Sequence, residues 1–176
     1  MHPHIGNIIG CALAQPLAKR ICKVKAYIGL QLIAAALCGA GYFVGNEQLM
    51  LAFGLYFFWC LFLQMATPLL WAKMADTVDY GHWKTGIRIT GMVYSSIVFF
   101  IKLGLALGGA IAGWLLAYYS YQADVLQSPE TQEGIRLSFT LWPALGSLLV
   151  AWIMRSYKLD QVTVDKLQHD LRPQTA

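Results

Sequence analysis

The chain has 176 residues, of which 57% are hydrophobic and only 12% are charged. An ordinary soluble domain has about a quarter of its residues charged, so this composition excludes that class and indicates a polytopic membrane protein. The formal net charge of +4 gives no argument for a nucleic-acid partner, and none is expected.

Long apolar segments follow one another along the chain. A membrane-spanning helix needs about 20 predominantly apolar residues. A first segment, residues 5–18, would cover only about 21 Å as a helix and is shorter than the bilayer core. Four longer segments follow at residues 26–45, 48–72, 89–121 and 137–154. We therefore expect an all-α integral membrane bundle over residues 1–158, with one partial and four full transmembrane helices, and a polar cytoplasmic tail over 159–176.

The Lys and Arg residues outside these segments are distributed asymmetrically. Eleven lie before the first full helix, in the 73–88 connection or after residue 154, and one, Arg136, lies in the alternate connections. Cytoplasmic loops carry the Lys and Arg excess in membrane proteins. The pattern predicts a multi-pass protein of the cytoplasmic (inner) membrane with a cytoplasmic C-terminus and the lipid bilayer as its surroundings.

The second full helix carries polar side chains on one face. Cys60, Gln64, Thr67 and Trp71 follow at spacings of 4, 3 and 4 residues, which align them along a helix. Gln64 and Thr67 could bind a sugar by hydrogen bonds, with the Trp71 ring stacking on it. The same pattern is typical of hydrogen bonds between helices, so both interpretations stay open.

A single charge, Lys102, lies deep in the 89–121 segment. A lysine at the bilayer centre costs about 2.5–3.5 kcal/mol on insertion scales and usually marks a functional site. Its helical face carries small residues, including Gly91, Gly109 and Gly113, which let helices approach closely. We expect Lys102 to face the bundle interior, as part of a substrate or coupling-ion site or in a structural salt bridge.

The connection after the second full helix carries two aspartates, Asp76 and Asp79. Carboxylates at a helix C-terminus oppose its dipole and need cationic partners or solvent. The candidate partners in the sequence are Lys84, Arg88, Lys19 and Arg20. With His82 the aspartates form a D-x-x-D-x-x-H pattern that could ligate a divalent ion, but the spacing is not a strong signature, and we predict no metal site.

The same connection carries an extended motif. Residues 68–86 read P-L-L-W-A-K-M-A-D-T-V-D-Y-G-H-W-K-T-G, followed by G-M-V-Y-S at 91–95 and K-L-G at 102–104. Together with P-L-A-K-R at 16–20, this pattern resembles the glycoside–pentoside–hexuronide:cation symporters over about residues 5–158. That family has the twelve-helix major-facilitator fold. The resemblance implies the end of helix eight and helices nine to twelve, without the N-terminal half that supplies the cation-binding aspartates and most sugar contacts.

The resemblance also implies roles for individual residues. Lys102 matches a lysine at the family's sugar cavity, with Gln64 and Thr67 as supporting candidates. Asp76 and Asp79 match the acidic pair of the cytoplasmic gating region.

Two departures from the family pattern bear on these roles. His82 stands where the family usually has an acidic residue, and Ile97 and Val98 replace the polar pair of melibiose-type members. The His82 departure bears on pairing and gating in the loop. The loss of the polar pair argues against melibiose and leaves the sugar open, and the match resembles the glucuronide and xyloside permeases more closely.

The function that follows is symport of a glycoside or glycuronide with Na⁺ or H⁺, with no other cofactor. The chain is expected to be a truncated C-terminal portion, inactive alone and completed by an N-terminal half. A small structural or assembly membrane protein, associating through the glycine-rich third helix, is the alternative. A membrane-embedded metal-dependent enzyme at Asp76, Asp79 and His82 is a weaker one, so no enzyme activity is predicted.

Overall fold

The computed structural model describes residues 22–45, 47–157, 159 and 161–171. The predicted partial helix at 5–18 and the two cations Lys19 and Arg20 lie outside these residues. The described part is helical, without strands. Its helices are α1 (Lys23–Gly41), α2 (Leu49–Thr85), α3 (Thr90–Tyr118), α4 (Pro129–Phe139), α5 (Leu141–Arg155) and α6 (Gln161–Leu171).

Four helical stretches of the described chain are long and apolar enough to cross a membrane. They are α1, α2, α3 and the α4–α5 pair, Pro129–Arg155. This confirms the predicted all-α membrane bundle and the number of its full spans. Thr140, with φ of −117° and ψ of −65°, separates α4 from α5, where the sequence predicted one helix over 137–154.

The core lies where α1 packs against α2 and α5. Its principal cluster contains Ala26, Tyr27 and Leu30 from α1 and Met65, Ala66 and Leu69 from α2. Alanines at these positions let the helix axes approach closely, as is usual for membrane helices. In contrast, α3 has no buried residue and contacts the rest of the described chain only lightly.

The segment predicted as the 73–88 loop is mostly helical. α2 runs through Thr85, so Asp76, Asp79 and Lys84 lie on a helix, and of the gating residues that the structure describes only Arg88 lies in the connection. Hydropathy falls after residue 72, but backbone hydrogen bonding continues because no proline interrupts it there. The helix ends at Gly86, whose φ of 71° is left-handed and whose N–H donates to the His82 carbonyl at 2.8 Å.

The polar tail contributes a short helix that folds back on α2. Val164 and Leu167 of α6 are buried, and α6 packs against α2. The Trp83 indole N–H donates to the Asp170 carboxylate at 3.1 Å. The charged extension of α2 is therefore partly covered by α6.

Candidate functional site

The start of α1, the extension of α2 and the end of α5 meet at one end of the bundle, here called the basic end. The Lys23 ammonium lies 2.9 Å from the Asp76 carboxylate, which is buried. The Thr77 and Tyr157 hydroxyls lie 3.1 Å apart. Lys23 was not among the predicted partners of Asp76, which were Lys84, Arg88, Lys19 and Arg20.

Lys73 is the second cation of the basic end and is only 4% exposed. Its Nζ lies 5.1 Å from the centre of the Tyr27 ring and 5.0 Å from that of Tyr157. Aromatic faces stabilise a cation at such distances. No group of the described chain accepts a hydrogen bond from this Nζ. The sequence indicated only an ordinary cytoplasmic lysine. The Tyr27 and Tyr157 rings are far from Lys73 along the chain, so no local sequence spacing predicts their contact with it.

Tyr157, just beyond α5, contributes the second ring beside this cation. Burial raises the pKa of its phenol, and the nearby Asp76 carboxylate raises it further, whereas the hydrogen bond with Thr77 lowers it. The phenol therefore stays neutral at physiological pH and presents an uncharged ring to Lys73.

The remaining predicted gating residues are more exposed. Arg88 lies 4.0 Å from Asp79, with its side chain 64% exposed. This is one of the predicted pairings. Lys84 is exposed on the last turn of α2, where a cation is favoured by the helix dipole. Within the described ranges, no group of three His, Cys, Asp or Glu residues is placed to hold a metal ion.

Gln64 and Thr67 line a cavity of about 270 Å³ between α1 and α2. Tyr27 and Gln31 line the same cavity, and the Gln31 amide donates to the Tyr27 hydroxyl at 3.2 Å. The Thr67 hydroxyl donates to the Leu63 carbonyl of its own helix at 3.3 Å. The cavity thus combines two amides and two hydroxyls, which can exchange hydrogen bonds with a polyhydroxylated ligand.

Lys102 lies on α3 and does not line that cavity. Its side chain is exposed, like those of its neighbours. One contact between α2 and α3 is the stacking of Trp71 on Tyr94, with ring centres 6.3 Å apart. The interior position expected for Lys102 stays a prediction. It applies to an assembly in which another part of the transporter covers α3.

A family model described as MFS/sugar transport protein matches residues 1–161. The chain belongs to this family. No solved structure matches it.

Several curated relatives are similar to the chain. The inner membrane symporter YicJ of Escherichia coli K12 is 40% identical over 154 residues, covering 87% of this chain and 34% of the relative. A candidate glycoside/cation symporter of the same strain, YagG, is 30% identical over 97% of this chain and 37% of its own length. A candidate sulfoquinovose importer, also from that strain, is 33% identical over 84% of this chain and 31% of its own length.

These relatives are transporters by name, not enzymes. The chain is accordingly a multi-pass chain of a transport family, and the family resemblance found in its motifs is confirmed. It spans about a third of the length of the three relatives.

Proposed function

We propose that this chain forms the C-terminal membrane bundle of a sugar:cation symporter of the glucuronide and xyloside type. The observation that carries the proposal is the family match over residues 1–161. The cavity beside Gln64 and Thr67 supports it, because it offers amide and hydroxyl groups of the kind that bind glycosides. The substrate is a glycoside or glycuronide, and the coupling ion is Na⁺ or H⁺.

The transporter is completed by an N-terminal bundle, on this polypeptide or on a separate chain. Two features support this: the chain spans 34% of YicJ, and α3 has no buried residue. Major-facilitator transport needs two bundles that rock against each other around a site near the midplane. The predicted spans 26–45, 48–72, 89–121 and 137–154 contain no Asp or Glu, so the second bundle supplies the cation site.

Within the completed site, Lys102 contacts the substrate or influences the cation site, and Gln64 and Thr67 add hydrogen bonds. At the basic end, Asp76, Asp79, Lys84 and Arg88 form the charged gate. Lys19 and Arg20, which lie outside the described residues, keep their expected role in this gate. This end is cytoplasmic, as is the C-terminus, because eleven of the twelve Lys and Arg residues outside the spans belong to that side.

The test is uptake of a labelled glucuronide or xyloside by vesicles with an imposed Na⁺ or H⁺ gradient. Vesicles containing only this chain are expected to match empty vesicles. Co-reconstitution with the N-terminal half of a related permease is expected to restore gradient-driven uptake. Accumulation by the chain alone would contradict the need for a second bundle. Absence of uptake with every related half would favour the alternative of an assembly protein.

A further inference from the structure

A second cavity, of about 280 Å³, lies at the basic end between α2, α3 and the end of α5. Leu70, Met74, Val93, Ile97 and Met154 give it apolar walls. Lys73 and the hydroxyl-bearing residues Thr77 and Tyr157 also line it. The surface of the cavity is therefore almost entirely apolar, and the Lys73 side chain and two hydroxyl-bearing residues border it.

Among the described residues Lys23, Lys73 and Asp76 beside this cavity, the charges do not balance. Two ammonium groups, those of Lys23 and Lys73, lie near one carboxylate, that of Asp76, which pairs with Lys23. Lys73 is 4% exposed, and its Nζ has no acceptor in the described part of the chain. A buried ammonium without an acceptor is costly, and aromatic faces offset only part of that cost. Among these three residues, the Lys73 ammonium is thus left without an anionic oxygen to accept its hydrogen bond.

The position of the cavity in the bilayer restricts which anion can fill it. Lys73 directly follows the apolar segment 48–72, at the level where the hydrocarbon core ends. The apolar walls do not favour a free hydrated anion, but they accommodate an acyl chain. Basic pockets between transmembrane helices at this level bind anionic lipid head groups.

We propose that this cavity is a binding site for an anionic phospholipid. The acyl chain lies against Leu70, Ile97 and Met154, and the phosphate accepts a hydrogen bond from Lys73. The ammonium lies 5.1 Å from the centre of the Tyr27 ring and 5.0 Å from that of the Tyr157 ring. The flexible Lys73 stem lets it turn from the rings towards a phosphate at the cavity mouth. The site requires a membrane but no sugar, so it is independent of the transport proposal.

The experiment is a lipid titration of the detergent-solubilised chain, with tryptophan fluorescence and the thermal unfolding midpoint as readouts. A ligand that binds only the folded chain raises this midpoint as its concentration increases. Phosphatidylglycerol is expected to raise the midpoint more than phosphatidylcholine of the same acyl composition. Lys73→Met is expected to weaken phosphatidylglycerol binding about fivefold, the effect of one lysine at a lipid surface. Lys73→Arg is expected to retain binding.

Lys84→Met is the matched control, because it removes an exposed cation of the same helix that does not line the cavity. It is expected to keep the wild-type difference between the two lipids. Lys73→Met changes the intrinsic midpoint as well, so only the lipid-dependent shift is compared. Equal shifts by the two lipids, or equal losses in the two Met variants, would overturn the proposal. Equal stabilisation by soluble glycerol phosphate would do so too, because it would assign the site to a free anion.

Discussion

The Lys23 ammonium and the Asp76 carboxylate, 2.9 Å apart, join the first turn of α1 to the extension of α2. Only 8% of the Asp76 side chain is exposed. Lys73, one turn earlier on α2, lies close enough to interact with the same carboxylate. Asp76 therefore supplies negative charge to two cations, and its removal affects more than one pair.

We predict that Asp76→Asn destabilises the chain by about 3–5 kcal/mol, the usual cost of breaking a buried ion pair from one side. The amide would leave the Lys23 and Lys73 ammonium groups close together without a carboxylate. The measurement is the free energy of unfolding in detergent, from denaturant titration followed by circular dichroism.

Asp79→Asn is the control for that prediction. Its partner Arg88 is 4.0 Å away and largely exposed, so its loss is expected to cost at most about 1 kcal/mol. Equal destabilisation by the two variants would show that the Asp76 ion pair contributes no more to the free energy of unfolding than the exposed Asp79–Arg88 pair.

The sequence was sufficient to predict the helical class and the number of full spans. These depend on the length and hydropathy of single segments, and 89–121 corresponds closely to α3, Thr90–Tyr118. The extension of α2 was missed because hydropathy records the membrane boundary, whereas the helix ends where Gly86 adopts a positive φ.

The candidate site was less predictable than the spans. The 4 and 3 spacing identified Gln64 and Thr67, which line one cavity, but Gln31 joins them from another helix. The burial of Lys73 depends on Tyr157, 84 residues further along the chain. No local pattern encodes such a contact, because it follows from how α1, α2 and α5 pack together.

Gly134 of α4 lies against the Tyr119 ring at the end of α3, with no room for a Cβ atom. We predict that Gly134→Ala destabilises the chain by about 1–3 kcal/mol through overpacking. Gly146→Ala in α5 is the control, because nothing lies within 4 Å of its Cβ position. It is expected to be neutral or to stabilise the helix by up to about 1 kcal/mol. Thermal unfolding measures both, and an unchanged Gly134→Ala midpoint would contradict the close contact.

The Tyr42 hydroxyl donates to the Glu133 carboxylate at 2.7 Å, and this hydrogen bond raises the pKa of the tyrosine above its usual 10.0. A raised folded-state pKa stabilises the chain fully below the unfolded value, and this stabilisation is lost as pH rises through the folded value. We predict that wild type exceeds Tyr42→Phe in stability at about pH 8 and that the difference shrinks above about pH 10. Denaturant titrations of both proteins across this range measure it. A difference independent of pH would exclude the Tyr42 proton as its source.

Lys102 gives opposite predictions for the isolated chain and the completed transporter. It is exposed on α3 in the described chain, where lipid would surround it in a membrane at a cost of about 2.5–3.5 kcal/mol. Lys102→Met is therefore expected to increase membrane insertion of the chain alone, measured as the protease-protected fraction after synthesis with vesicles.

With an N-terminal half present, the same Lys102→Met variant is expected to reduce glycoside uptake at least tenfold, because the charge then faces the site. Leu105→Met, on the same exposed helix, is expected to leave both quantities unchanged. Wild-type uptake by Lys102→Met would remove the lysine from the substrate site. Unchanged insertion would instead mean that the ammonium already reaches water in the isolated chain, since only a solvated charge avoids the lipid penalty.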